Sequence, residues 1–281
     1  MLAVPMRSLT TSLGDAIREH DVESLHKARV ASRRIREVLP VVPGKAGRGK
    51  LRRRIRRITR QLGPVRELDV SQAVLDQLRD RRVVTDDTIA PLRTALAAER
   101  QMRWDELRER LSGTNLDKLR RQAKRAEDLA SVRPRRQLVV RAWGRAGKRA
   151  LALRAAIVSA GGLYLPDRLH DVRIAAKKLR YALELVQSVG QIQMASRLKA
   201  LRQTQDLLGR MHDVEMVIAR IRTVQGTPGR ANLRVSADLD CAVRALEDEC
   251  RRHHGGYVAM REALLKLTDA VESGAAREVE A

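Results

Sequence analysis

Aromatic residues are almost absent from this sequence, whose 281 residues include no phenylalanine, three tyrosines and two tryptophans. Proteins that bind single-stranded nucleic acid usually stack bases on aromatic rings, so the composition weakens that interpretation. Acidic residues are also few, with 34 Asp and Glu against 57 Lys and Arg and a formal net charge of +23. A field of that sign attracts polyanions or anionic membranes.

Cysteine and long apolar runs are scarce as well. Cys241 and Cys250 are nine residues apart in one predicted helix. That spacing places them on opposite sides, about 13 Å apart along the axis, so they cannot form a disulfide with each other. No stretch approaches the 18 consecutive apolar residues of a membrane span, and the first residues do not resemble a signal peptide. We expect a cytoplasmic protein that does not insert into membranes.

Strand signals are missing too, since the sequence has no sustained two-residue alternation and no hairpin turn between β-branched runs. We therefore predict an all-α fold, for which 43% apolar residues supply a core. Breaker residues predict the joints between helices. The predicted joints include those at 40–49, Gly63-Pro64, Gly209, 226–229 and Gly255-Gly256.

One stretch of the sequence occurs twice. Nine positions of the first copy recur 144 positions later, as Leu25, His26, Arg29, Val30, Ala31, Arg33, Arg34, Ile35 and Arg36 and then Leu169, His170, Arg173, Ile174, Ala175, Lys177, Lys178, Leu179 and Arg180. Asp21 and Asp167 lie just before them, where a carboxylate caps a helix or stabilises its first turn.

Each copy predicts a helix with one cationic and one apolar face. The cationic faces hold His26, Arg29, Arg33 and Arg36, and then His170, Arg173, Lys177 and Arg180, with Arg34 and Lys178 on the flanks. A solvent-exposed face normally mixes charges, because like charges one turn apart destabilise a helix. Neither cationic face carries an acidic partner of its own, so we expect it to bind an anionic ligand.

The duplication continues along the chain. Residues 62–70, starting Leu-Gly-Pro-Val-Arg-Glu, align with 208–216, starting Leu-Gly-Arg-Met-His-Asp, at an offset of 146. Two matched blocks in the same order indicate an internal repeat. In the helix before each glycine, Arg53 and Arg56 correspond to Lys199 and Arg202.

These two blocks resemble the CHAD domain, the conserved histidine α-helical family. The resemblance implies a single domain over residues 6–271, made of repeats 6–132 and 135–271, with 272–281 as a flexible tail. It also implies two pseudo-symmetric helical halves around a basic central cleft, and inorganic polyphosphate as the ligand. The implied polyphosphate-binding residues are His26, Arg29, Arg33, Arg34, Arg36, Arg53, Arg56, His170, Arg173, Lys177, Lys178, Arg180, Lys199 and Arg202. The sequence departs from the family in Glu67, where Asp is commoner, and in a loop rich in Gly and Lys around 43–50.

The chemistry of such a site favours binding over catalysis. His170-Asp171 and His212-Asp213 are similar to the metal-binding dyads of phosphohydrolases, but Lys27 and Arg66 occupy the equivalent positions of the first repeat. A cationic face repels a divalent metal, and the sequence has no phosphate loop, paired-cysteine zinc motif or serine nucleophile motif. We therefore expect no catalytic residue, metal or cofactor.

Alternatives remain open at the sequence level. The two duplicated histidines either brace the bundle as neutral rings or bind phosphate in their protonated form. Nucleic acid is the alternative ligand, since a charge of +23 binds any polyanion at low salt. A role in targeting polyphosphate granules would differ in its cellular purpose but not in its ligand.

Overall fold

The computed structural model describes residues 1–42, 48–226 and 233–280, and these contain ten helices and no strand. The helices are α1 (Ala3–Glu19), α2 (Val22–Val38), α3 (Arg48–Gln61), α4 (Gly63–Asp80), α5 (Asp86–Ser112), α6 (Leu116–Ser131), α7 (Arg135–Ala160), α8 (Pro166–Gly190), α9 (Ala195–Gln225) and α10 (Leu233–Glu280). The predicted all-α class is confirmed. None of the described helices is long and apolar enough to cross a membrane. The Gly- and Lys-rich loop lies outside the described residues at 43–47, and residues 48–50 already belong to α3.

The helices form two halves, α1 to α6 and α7 to α10. In the first half α1 packs on α2 and α6, and α4 packs on α5. In the second half α7 packs on α8 and α10, and α9 packs on α10. The halves meet where α2 contacts α8 and where α4 contacts α9. Because α2 and α8 are the two copies of the histidine helix, the internal repeat brings both cationic faces to one interface.

The halves differ in where their helices break. Gly63-Pro64 separates α3 from α4, whereas α9 runs uninterrupted through Gly209 and Arg210 at the equivalent positions. Pro64 has no N–H to donate to the preceding turn, while Arg210 has one. The predicted joints at Gly209 and at Gly255-Gly256 are therefore wrong. A helical glycine costs only about 1 kcal/mol relative to alanine, and helices packed along their length tolerate that cost.

The apolar faces form the core as predicted. Residues Ala28, Ala31, Ile35, Val38 and Leu39 of the first half are buried, and so are Val172, Ala175, Leu179, Ala182 and Leu183 of the second. Asp21 caps α2, because its carboxylate accepts hydrogen bonds from the backbone N–H groups of Glu23 and Ser24. Asp167 instead lies in the first turn of α8 without capping it. Both cysteines are free.

The carboxyl-terminal segment corrects one prediction. Residues 272–280 are not a flexible tail but the end of α10, and residue 281 lies outside the described residues. Ala275 is buried there against α7. A methyl group placed on Gly147 would come within 3.0 Å of the Ala275 Cβ atom, so the two helices approach closely at this point.

Candidate functional site: a cation-lined cleft between the two halves

A cleft of about 320 Å³ opens between the halves, with walls from α2, α4, α8 and α9. Its lining follows the internal repeat, since seven residues of the first half line it together with their seven counterparts from the second. The pairs are His26 with His170, Arg29 with Arg173, Val30 with Ile174, Arg33 with Lys177, Arg66 with His212, Glu67 with Asp213 and Val70 with Met216. The predicted basic central cleft is therefore present.

Positive charge exceeds negative charge in this cleft. Five cations line it, against the two carboxylates of Glu67 and Asp213. The cations are Arg29, Arg33, Arg66, Arg173 and Lys177. Among the residues that the structure describes, Arg33, Arg66 and Lys177 form no ion pair. Buried charge without a partner is costly, so an anion entering the cleft would relieve that cost.

The paired arginines lie against the duplicated glycines. A Cβ atom on Gly63 would lie 3.5 Å from Nη1 of Arg29, and one on Gly209 would lie 3.7 Å from Nε of Arg173. Both are ordinary van der Waals distances, so each guanidinium packs directly beside its glycine. The repeated glycines thus mark the place of the paired arginines, whereas only Gly63 lies at a helix joint.

The two arginines nevertheless differ in their hydrogen bonds. Arg29 Nη1 donates to the carbonyl of Gly63 at 3.0 Å and to that of Leu62 at 3.4 Å, where α3 ends and α4 begins. Helix α9 is continuous at the equivalent point, and Nε of Arg173 is buried without a hydrogen-bond partner. Fewer of the guanidinium donors of Arg173 than of Arg29 therefore have hydrogen-bond partners among the described residues.

Lys177 is the most strongly perturbed cation of the cleft. Burial, followed by the neighbouring charges of Arg173, Arg33 and Arg29, lowers its pKa to about 6, against the weaker opposing effect of Asp213. Burial and Arg33 likewise lower the pKa of Arg29 to about 10. Such shifts are typical of binding sites built for charge of the opposite sign.

The histidines form two different arrangements. In the second half, Nδ1 of His170 and Nδ1 of His212 lie 3.3 Å apart, so one ring donates and the other accepts when both are neutral. Burial and Arg173 lower the pKa of His212 to about 4, and burial lowers the pKa of His170. In the first half, burial and Arg66 lower the pKa of His26. The empty cleft therefore favours neutral imidazoles.

Six of the predicted binding residues line the cleft: His26, Arg29, Arg33, His170, Arg173 and Lys177. Arg34 and Arg180 do not, because both lie at Glu184. Arg34 Nε is 3.4 Å from that carboxylate, and Arg180 Nη1 donates to it at 2.8 Å. The prediction that the Arg180 face lacks an acidic partner is therefore wrong, since Glu184 is one turn further along α8.

The other predicted residues lie elsewhere. Arg36 and Lys178 interact electrostatically with the buried carboxylate of Glu37, and Arg56 is a neighbour of Arg36. The remaining three are exposed on the surfaces of α3 and α9 and, in the described ranges, form no ion pair; they are Arg53, Lys199 and Arg202. Position on a basic helix thus does not decide whether a cation reaches the cleft.

Two cleft residues were missed by the sequence prediction, Arg66 and His212. They lie on α4 and α9 rather than on the histidine helices. A signal was present, because both occupy the same position of the second duplicated block. His212 was noted there only as part of a possible metal dyad.

Three of the four acidic residues within 62–70 and 208–216 lie beside arginines, whereas the fourth, Glu215, accepts a hydrogen bond from the Tyr164 hydroxyl at 2.6 Å. Arg100 Nε donates to Asp69 at 2.6 Å, while Glu67 and Asp213 lie near Arg29 and Arg173. Nowhere in the described residues do three or more His, Cys, Asp or Glu side chains come together as a metal site would require. Among the described residues that line the cleft, Ser71 alone carries a hydroxyl group, and this group donates to the backbone carbonyl of Glu67.

The fold and site together define an all-helical, internally duplicated protein with a cation-lined central cleft. The chain belongs to the CHAD domain family, whose pattern it matches over residues 7–222, and the predicted resemblance is confirmed. It is similar to the crystal structure of the CHAD domain from the plant Ricinus communis, with a TM-score of 0.62 and 21% identity over 98% of this chain and 89% of that one. It is also similar to PptA from Streptomyces chartreusis, with a TM-score of 0.58 and 16% identity over 98% of this chain and 96% of that one. No curated protein matches the sequence.

Proposed function

We propose that this protein binds inorganic polyphosphate in the central cleft, without breaking it. The CHAD family is known to bind polyphosphate-related substrates. The observation that carries the proposal for this chain is the excess of basic side chains in the cleft, where four arginines and Lys177 face two carboxylates. Arginine guanidinium groups hold phosphate oxygens in a bidentate manner, and Lys177 adds a compact charge.

The repeat suits a linear ligand with a charge on every unit. Arg29 and Arg33 are one helical turn apart on α2, and Arg173 and Lys177 repeat that spacing on α8. A chain of phosphates lying between the two helices would meet cations from both sides at intervals of about 5–6 Å. Each contact is weak by itself, so the affinity would come from the number of contacts and from counterion release.

The cleft offers little to a nucleic acid. No Phe, Tyr or Trp side chain is among the residues that line it, so unpaired bases would find no aromatic stacking surface apart from the histidines. A competition measurement tests the choice of ligand. Long-chain polyphosphate should retain the protein against duplex DNA or RNA at equal phosphate concentration, and its affinity should fall steeply as salt rises. Displacement by the nucleic acid would overturn the proposal.

Three features support binding without catalysis. The described residues form no cluster for a metal, the Ser71 hydroxyl is engaged, and the cleft cations would repel a divalent ion. Incubation with polyphosphate and Mg²⁺ or Mn²⁺ should release no phosphate above the level of a protein-free control. If phosphate release persisted through purification and was lost in a cleft variant, the proposal that the protein binds polyphosphate without breaking it would be contradicted.

The same ligand would direct the protein to polyphosphate granules in the cytoplasm. Replacing Arg29, Arg33, Arg173 and Lys177 by Glu reverses the charge of the cleft and should release a fluorescently tagged protein from the granules. Unchanged localisation of that variant would show that the cleft does not attach the protein to the granules.

A further inference from the structure

A second group of cations lies beside the cleft, around the buried carboxylate of Glu37. We call it the Glu37 cluster. Its cations come from four helices, with Arg36 on α2, Arg52 and Arg56 on α3, Arg145 and Arg149 on α7, and Lys178 on α8.

Glu37 organises the cluster from inside. Its side chain is 8% exposed. Arg145 Nε donates to Glu37 Oε2 at 3.0 Å, while Arg149 donates to both carboxylate oxygens, from Nε at 3.0 Å and from Nη2 at 2.7 Å. One carboxylate is therefore shared by two guanidinium groups, and Nη2 of Arg145 also lies 2.9 Å from it.

The other four cations add positive charge beyond what is needed to neutralise the Glu37 carboxylate. Across the described part of the chain, Arg36, Arg52, Arg56 and Lys178 form no ion pair. Burial and the nearby charges of Arg149 and Arg36 lower the pKa of Lys178. Burial also lowers the pKa of Arg36, with Arg56, Arg149 and Arg52 as repelling neighbours. This repulsion resembles that of the cleft and would be relieved by the same kind of ligand.

The cluster is continuous with the cleft. Arg33 lines the cleft, and Arg36 follows it three residues later and acts on it electrostatically. On α8, Ile174 lines both the cleft and the groove between α7 and α8 that contains Arg149 and Lys178. An anionic chain leaving the cleft at this end would meet the Glu37 cluster next.

We propose that the Glu37 cluster is a second subsite, which binds the part of a polyphosphate chain that extends beyond the cleft and so makes the protein prefer long chains. The inference rests on the proposed function of the cleft. A cleft of about 320 Å³ holds only a short segment of such a polymer. A short chain fills the cleft alone, whereas a long chain contacts both sites and gains affinity as a multivalent ligand does.

Chain length therefore separates the two sites experimentally. The test variant is Arg52→Gln/Arg56→Gln, and both of these side chains are exposed on α3. The matched control is Arg53→Gln/Arg57→Gln, which removes the same charge at the same spacing from another exposed face of α3, about 100° away. Dissociation constants are measured for tripolyphosphate and for long-chain polyphosphate at one fixed salt concentration.

The test variant should weaken long-chain binding by about three- to tenfold more than the control does, which is the effect of losing two exposed contacts. Tripolyphosphate binding should change equally little in both variants. Lys178→Gln, on a different helix, should reproduce the difference between the ligands. Equal losses for the two ligands, or equal losses in test and control variants, would overturn the second subsite. If the wild type bound neither ligand, the cleft proposal itself would fail.

Discussion

The guanidinium of Arg173 lies 3.9 Å from the carboxylate of Asp213, close enough for an ion pair and too far for a hydrogen bond. Arg29 and Glu67 repeat the arrangement in the other half at 4.0 Å. The arginine side chains are 16% and 18% exposed. Each carboxylate thus offsets part of the repulsion in the empty cleft without occupying the N–H groups that a phosphate would need.

The two carboxylates should accordingly weaken ligand binding while stabilising the empty protein. Glu67→Gln and Asp213→Asn each remove a negative charge beside the proposed anion. We expect each to tighten polyphosphate binding by about two- to fivefold and to lower the Tm of the ligand-free protein. Titration calorimetry and thermal melts measure the two effects. Weaker binding in both variants would show that the carboxylates assist the ligand instead.

Lys177 should take up a proton when the ligand binds. Its pKa of about 6 leaves it largely neutral in the empty cleft at about pH 7.5, despite the opposing charge of Asp213. Phosphate beside it would raise that pKa, so proton uptake should approach one per site and affinity should increase as pH falls from about 8 to 6. Calorimetry in buffers of different ionisation enthalpy counts the protons.

The matched variant for this uptake is Lys177→Arg, which keeps the charge but remains protonated throughout the range. It should remove most of the uptake. Unchanged uptake in this variant would assign the proton to the histidines His26, His170 and His212, whose pKa values are also lowered.

The stability of the empty protein should rise with pH for the same reason. Unfolded Lys177 regains its ordinary pKa of 10.5, against about 6 in the folded state. Between these values the unfolded chain binds more protons, so the free energy of unfolding increases as pH rises through this window. Tm should increase from about pH 6.5 to 9, and Lys177→Met should flatten the increase. If Lys177→Met kept the full increase of Tm with pH, a group other than Lys177 would cause that increase.

The glycine beneath Arg173 should matter for binding. Gly209→Leu places a bulky side chain beside the guanidinium, because its Cβ atom would already be in van der Waals contact with Nε at 3.7 Å and the rest of the side chain extends beyond it. We expect polyphosphate affinity to fall by about tenfold, the effect of losing one charged contact. Gly255→Leu is the control, since nothing lies within 4 Å of a Cβ atom there. Equal affinities of the two variants would mean that Arg173 does not need this position.

Periodicity predicted the part of the site that lies on single helices. Arg29 and Arg33 reach the cleft because their spacing fixes the face of α2 on which they lie, and the repeat assigns Arg173 and Lys177 with them. Placing Arg66 and His212 in the cleft depends on how α4 and α9 pack. The spacing of residues within one helix does not determine that packing. Arg36 and Lys178 lie near Glu37 and not in the cleft, which again depends on how the helices pack.

Helix joints also depend partly on packing, which the local sequence does not display. Gly63-Pro64 ends a helix because proline lacks the N–H, a local property that the sequence displays. Gly209 does not, because packing along α9 outweighs the small helical cost of glycine.

The pairing of Arg180 with Glu184 was visible in the sequence at i,i+4 spacing.

The central claim is that polyphosphate binds to the cleft cations and not to the positive charge of the protein as a whole. The direct measurement is the polyphosphate dissociation constant of Arg33→Gln/Lys177→Gln against that of Arg53→Gln/Lys199→Gln. Each variant removes one basic side chain from each half, the first inside the cleft and the second on exposed helix surfaces. The cleft variant should lose about a hundredfold in affinity, or about 2.7 kcal/mol, with an unchanged or higher Tm, and the surface variant at most about threefold. Equal losses in the two variants would contradict the account.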